Sequence, residues 1–252
     1  MSAATMGVAL RFWEGAQDLL HEDVEVHDFD LPDAGVYRGH RWLAAWEEPW
    51  EEWHGDVHDL LDLGHQAASL MHLQARTASG LEVDREDSHL LTIRDGQIVK
   101  IEWFENAEGA LERAVDPEHA AVRRAAHEKV RALYAAAVRE DVEGVVAQLA
   151  PGYEFYPEAG SPMGPAYRGH EGARNYFREV FEALEMLAFD VERLVDVDDS
   201  VLALFEFRNR GRGSGVELTG RWAEIWQTSG SELTASRFYQ SHDEALAAAG
   251  LG

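Results

Sequence analysis

The sequence predicts an α+β protein made of two tandem copies of one domain. Three observations predict it. Tyr37-Arg38-Gly39-His40 recurs intact as Tyr167-Arg168-Gly169-His170, each time after a loop bearing proline and glycine. GLEVDREDSHLLTIRDGQIVKIEWFENAEGAL aligns with GVELTGRWAEIWQTSGSELTASRFYQSHDEAL, in the same order and at nearly the same spacing from the first motif. Within the copies, helical spacing comes first and a run of strand-like segments follows.

The elements follow in order. In the second copy, 115–252, Asp116 caps a helix and Pro117 suits its first position. Val122, Ala125, Ala126, Val130, Leu133 and Tyr134 give that helix its apolar spacing. Arg139-Glu140-Asp141 breaks the pattern, and a short helix then runs to the stop at Pro151-Gly152. The first copy, 1–114, offers only about twenty residues before its first strand. It is expected to lack the long opening helix. Strands are expected at 24–27, 69–74, 81–94 and 97–104 in the first copy, and at 153–156 and 201–207 in the second. Asp95-Gly96 between two strand-like runs signals a tight hairpin, and Gly230-Ser231 is its counterpart.

Composition excludes several function classes. Forty-seven acidic against 22 basic residues leave a net charge of −25, which repels phosphate backbones and anionic lipid. Neither nucleic acid nor a membrane is an expected partner. Without cysteine there is no disulfide or thiolate chemistry. No apolar run reaches membrane length, and the N-terminus lacks the basic and apolar regions of a signal peptide. The expected location is cytoplasmic.

The order of elements, the YRGH motif and the ending at 89–111 and 224–246 resemble SnoaL-like members of the nuclear transport factor 2 superfamily. The resemblance covers nearly the whole chain as two units. It implies two cone-shaped domains of the cystatin-like α+β barrel type, with helices packed on a strongly curved antiparallel sheet around a pocket. The family includes polyketide cyclases, ketosteroid isomerases, limonene epoxide hydrolases, dehydratases and proteins that only bind ligands. Fold alone therefore does not decide function.

The hairpins suggest where chemistry sits. With a two-residue turn at Asp95-Gly96, His89 is expected opposite Glu102, an acid/base dyad suited to proton transfer beside a carbonyl. The competing reading is a cross-strand ion pair worth roughly 0.2–1 kcal/mol. The aligned pair in the second copy is Glu224 opposite Arg237, on a bulky face with Trp222, Trp226, Leu233 and Tyr239. There an arginine would hold the carboxylate ionised, as a ligand-orienting group or a structural pair. His27 and Asp28 end the first strand, where residues can face a pocket or simply rim it. Trp42, Trp46, Trp50 and Trp53 fall on one helical face, packed on the sheet or lining the first cone, with Pro49 bending or restarting the helix. Tyr153 and Phe155 carry the same two readings in the second copy. Arg38 and Arg168 read as structural. No metal site is expected: the histidines follow no HxH or HExxH pattern, and Asp28, Asp30 and Asp33 lack the glycine and closing glutamate of a calcium loop.

Together these observations point to a pocket protein for a hydrophobic, oxygen-bearing small molecule. The leading reading is a cofactor-free acid/base enzyme of cyclase, isomerase, hydrolase or dehydratase type. The alternative is a non-catalytic ligand-binding or protein-interaction module. In it, the tandem forms an intramolecular pseudo-dimer, with a higher homo-oligomer also open.

Overall fold

The computed structural model describes residues 2–28, 36–40, 42, 46–156 and 167–251. The loops that precede both YRGH motifs, with Asp30 and Asp33, lie outside the described residues. The chain divides into two compact units, Met1–Ala121 and Val122–Gly252. In each, helices pack on a curved mixed sheet, as the α+β expectation holds.

Unit 1 opens with a helix, α1 (Ser2–Trp13), then a 3-10 turn (Gln17–Leu19). Strands β1 (Leu20–Asp28), β2 (Val36–Arg38), β3 (Trp50–Asp62), β4 (Gln66–Thr77), β5 (Glu82–Arg94) and β6 (Gln97–Phe104) follow, and α2 (Gly109–Arg113) ends them. They are ordered β2-β1-β6-β5-β4-β3, with β1 and β6 parallel and the other pairs antiparallel. The opening helix here is a short one of 12 residues, against 22 in the second copy. Met6, Val8, Ala9 and Leu10 bury a short apolar run in α1, too compact to display a long helical period.

The second copy begins with α3 (Pro117–Val138), whose first turn still belongs to unit 1, and α4 (Val142–Val146). Asp116 Oδ1 accepts from the His119 amide, as the cap requires. Then come β7 (Leu149–Tyr156), β8 (Tyr167–Arg168), α5 (Gly169–Ala183), β9 (Leu184–Val197), β10 (Ser200–Gly211), β11 (Glu217–Ser229), β12 (Glu232–Tyr239) and α6 (His242–Ala248). The order is β9-β10-β11-β12-β7-β8, with β12 and β7 parallel. Tyr134, Tyr153, Phe155, Phe205 and Trp226 centre its core, and each fully buried side chain of this size contributes roughly 1.5–3 kcal/mol.

The YRGH motif does the same work twice. Its glycine takes a left-handed φ, 70° at Gly39 and 64° at Gly169, and a Cβ there would press on the carbonyl oxygens of Glu22 and Pro151 at 3.1 and 3.3 Å. Its arginine reaches a glutamate on the neighbouring strand: Arg38 to Glu25 at 2.6 Å, Arg168 to Glu154 at 3.3 Å.

Two expectations are corrected. Trp42 and Trp46 are helical, but Trp50 and Trp53 lie on β3, because the chain turns at Glu48-Pro49. The register of both hairpins also differs. Val99 is an extra residue between Thr92↔Lys100 and Ile93↔Ile98, and Thr234 is one between Gln227↔Ala235 and Thr228↔Leu233. Each bulge shifts every pair beyond it by one position, and a one-residue shift exchanges the faces.

Candidate active site

Along β11, Trp222, Glu224 and Trp226 alternate onto one face, as the sequence indicates. Past the bulge, Phe238 stands opposite Glu224 and Ser236 opposite Trp226. Arg237 pairs with Ile225 on the other face, is exposed, and lies with its guanidinium 5.9 Å from the Tyr156 ring. Tyr239 pairs with Ala223. The expected Glu224–Arg237 pair does not form, and no arginine holds Glu224 ionised.

Glu224 is instead buried (2% exposed) among aromatic rings. From α3, the Tyr134 hydroxyl donates to Glu224 Oε2 at 2.8 Å and accepts from Trp226 Nε1 at 3.0 Å. The Ser236 hydroxyl also hydrogen-bonds the carboxyl, and it meets the Tyr153 hydroxyl at 2.6 Å. Burial dominates: it pushes the Glu224 carboxyl up to about 8, and the Ser236 and Tyr134 hydrogen bonds offset only part of that. Burial, and the charge Glu224 would carry, push Tyr134 and Tyr153 well above the ordinary phenol range.

This carboxyl forms one wall of a cavity of about 50 Å³. Around it stand Leu133 and Ala137 of α3, Phe177, Val180 and Phe181 of α5, and Met186 and Phe189 of β9. Tyr134, Tyr153, Phe155, Tyr176, Trp226 and Phe238 complete the wall. Trp222 packs outside it, 4.4 Å from the Phe207 ring. A neutral acid in an apolar chamber can give a proton to a ligand oxygen, or a hydrogen bond to one on which charge develops.

In unit 1 the aligned position belongs to His89, with Trp103 opposite it. Glu102 faces Leu90 and is turned to the other side, where Lys100 at 3.0 Å and Arg113 at 3.2 Å hold it. The expected His89–Glu102 dyad is therefore not assembled. Ser69 Oγ lies 3.1 Å from His89 Nδ1, and burial alone pushes the imidazole down to about 3. Asp28 is buried in the same cross-strand row, beside Trp103 on β1. His27 sits beside Glu102 and 3.6 Å from Glu25. Trp42 and Trp46 pack on Trp103 at 6.4 and 4.9 Å.

Sequence reasoning passed over Ser236, and took Tyr134 as part of an apolar stripe. It also passed over Trp13 and Trp103, which flank His89 at 4.8 and 4.2 Å. A phenol inside an otherwise alanine-rich helical stripe is the one signal the sequence offered.

Comparison with known proteins agrees with this architecture. The SnoaL-like domain model matches twice, over residues 7–101 and 130–235. No curated protein matches the sequence. Among solved structures, a putative isomerase from Bacillus subtilis is similar at 15% identity, covering 47% of this chain and 87% of its own, with a TM-score of 0.44. A hypothetical protein with a ketosteroid isomerase-like fold from Catenulispora acidiphila, in complex with trimethylamine, is 19% identical over 50% of this chain and 94% of its own, with a TM-score of 0.41. A putative SnoaL-like polyketide cyclase from Mesorhizobium loti is 20% identical over 46% and 96%, with a TM-score of 0.40. Each spans about half of this chain. With two matches that together take in most of its length, the chain belongs to the SnoaL-like domain family and carries two copies of that domain.

Proposed function

We propose that unit 2 is a cofactor-independent acid/base enzyme acting on a small, apolar, oxygen-bearing substrate. Glu224 is its proton donor and acceptor. One observation carries the reading: a fully buried carboxyl on the wall of an aromatic cavity, with its pKa at about 8. Near neutrality such a group is mostly protonated, yet it ionises within reach of physiological pH, which suits both directions of proton transfer. Tyr134 and Ser236 position the carboxyl and stabilise it when it ionises. The chemistry fits an isomerisation or dehydration beside a carbonyl. At about 50 Å³ the cavity is far below the roughly 300–1,000 Å³ of ordinary ligand sites, so the aromatic wall must part to admit a substrate.

The test is solvent deuterium exchange at the carbon next to the carbonyl of 2-cyclohexen-1-one and related cyclic ketones, followed by NMR. Wild type is expected to accelerate exchange, and Glu224→Gln to lose that acceleration by about 10²–10⁴-fold. Equal rates for a well-folded variant would remove Glu224 from the mechanism. The second reading, a non-catalytic ligand-binding protein, is favoured by the carboxyl's existing bonds to Tyr134 and Ser236. It predicts ligand binding without exchange.

A further inference from the structure

The walls of the Glu224 cavity are not all held alike. On the sheet side, Tyr153, Phe155 and Trp226 are 3% exposed or less. Phe238 sits on β12, which is paired with a strand on both sides. α3 is pinned to β9 by the buried Arg123–Asp196 pair, at 2.9 and 2.5 Å. On the remaining side, Phe177 and Val180 of α5 and Phe189 of β9 are only half-buried.

The outer end of that side is held at the surface by Arg212, just past β10. Its Nε donates to the Phe181 carbonyl at 2.8 Å, and its amide donates to the Ala183 carbonyl at 2.9 Å. Both are carbonyls of the last turn of α5, which find no partner within the helix. Through Nη2 the same arginine grips both oxygens of Glu140, at 2.5 and 2.6 Å. Glu140 Oε1 also accepts from the Met186 amide at 3.3 Å, near the start of β9. Glu140 is a fixed post in the turn after α3: it takes a left-handed φ of 55°, and its amide donates to the Ala137 carbonyl at 2.9 Å. The Arg212 and Glu140 side chains are 42% and 31% exposed, so water and salt compete for the pair. Paired strands and buried bonds hold the other walls, and a surface ion pair holds this one.

We propose that Glu140 and Arg212 form a clasp that gates the unit 2 cavity, which opens where α5 ends and β9 begins. When Arg212 releases Glu140, the end of α5 swings out with Phe177, Val180 and Phe181, and Met186 loses its amide anchor. The other end of α5 is the hinge. There Arg174 holds Glu143 at 2.7 and 2.8 Å, and His170 Nε2 lies 2.9 Å from the Leu149 carbonyl. The clasp sets how large a molecule passes. It rests on the reading of this cavity as the substrate chamber, and not on the chemistry of Glu224.

Relaxation dispersion of the methionine methyl groups in the full chain tests it without any ligand, because Met186 lines the cavity beside the clasp. Glu140→Gln keeps an acceptor for the Met186 amide and removes the charge. It is expected to raise the open population seen at the Met186 methyl about three- to five-fold, as loss of an exposed ion pair does. Arg174→Gln, which breaks the contact at the hinge end, is expected to leave that methyl unchanged. Rising sodium chloride on wild type is expected to act as Glu140→Gln does, and this series stands even if a variant fails to fold. In the ketone exchange assay, Glu140→Gln is expected to raise kcat/KM for 1-tetralone by the same factor and to leave that for acetone unchanged. An unchanged Met186 methyl in Glu140→Gln, or an equal rise in Arg174→Gln, would overturn the clasp. A rise confined to Glu140→Gln in a protein that exchanges no ketone would support the clasp and remove the acid/base reading instead.

Discussion

The Tyr134 hydroxyl donates to Glu224 Oε2 across 2.8 Å, with Trp226 Nε1 behind it at 3.0 Å. A donor so placed favours the ionised carboxyl and counters part of the effect of burial. Tyr134→Phe is expected to push the Glu224 carboxyl further up. It should also cost about 1–3 kcal/mol, since both the carboxyl and the indole lose a buried partner. Urea denaturation at pH 6 gives the stability, and the pH profile of ketone exchange gives the shift. A rising limb that stays in place would deny Tyr134 its positioning role.

Glu224 makes unit 2 sensitive to alkali. Its folded-state pKa stands at about 8 against an ordinary 4.5. The contribution is therefore fully present below pH 4.5 and is lost as pH rises through 8. Over that window the loss is on the order of 5 kcal/mol. Thermal unfolding of wild type and Glu224→Gln across pH 5–9 should show a falling midpoint in the first and a flatter one in the second.

His89 does the reverse in unit 1. Burial lowers it from 6.5 to about 3, so its contribution is present above pH 6.5 and is lost as pH falls toward 3. His89→Phe keeps an aromatic ring between Trp13 and Trp103 and gives up the Ser69 contact. Acid titration followed by near-UV circular dichroism should find the variant holding its tryptophan signal to lower pH than wild type. An unchanged midpoint would assign acid unfolding to other groups.

Arg123, His127 and Asp196 form a buried ionic cluster. Arg123 grips Asp196 through Nε at 2.9 Å and Nη2 at 2.5 Å, and His127 Nε2 lies 2.9 Å from the same carboxylate. Burial pushes Asp196 up, but His127 and Arg123 beside it outweigh that and hold it below its usual range. Asp196→Asn takes the doubly bonded carboxylate from a buried guanidinium and is expected to cost about 3–5 kcal/mol by denaturant unfolding.

The duplication, the α+β order and the Asp95-Gly96 turn were legible because each rests on local chemistry. Both turn residues take positive φ, 50° and 78°, as the dipeptide predicts. The inward set Trp222, Glu224 and Trp226 was legible too, since alternation along one strand does not depend on the neighbour's register. The partners were not. Val99 and Thr234 look like any β-branched strand residue, and nothing in composition marks them as bulged. That single hidden residue turned Glu102 and Arg237 away and brought Trp103 and Phe238 in. The tryptophan stripe misled for a related reason: spacing at 42, 46, 50 and 53 fits a helix until Pro49 ends it.

In each copy the opening helix sets an aromatic side chain against the ionisable group of the sheet, Trp13 on His89 and Tyr134 on Glu224. A carboxyl buried at the strand position needs a hydroxyl donor from the helix above it, whereas a neutral imidazole there can rest against an indole face. The residue that each helix lowers onto its sheet thus decides which ionisable group that sheet can bury.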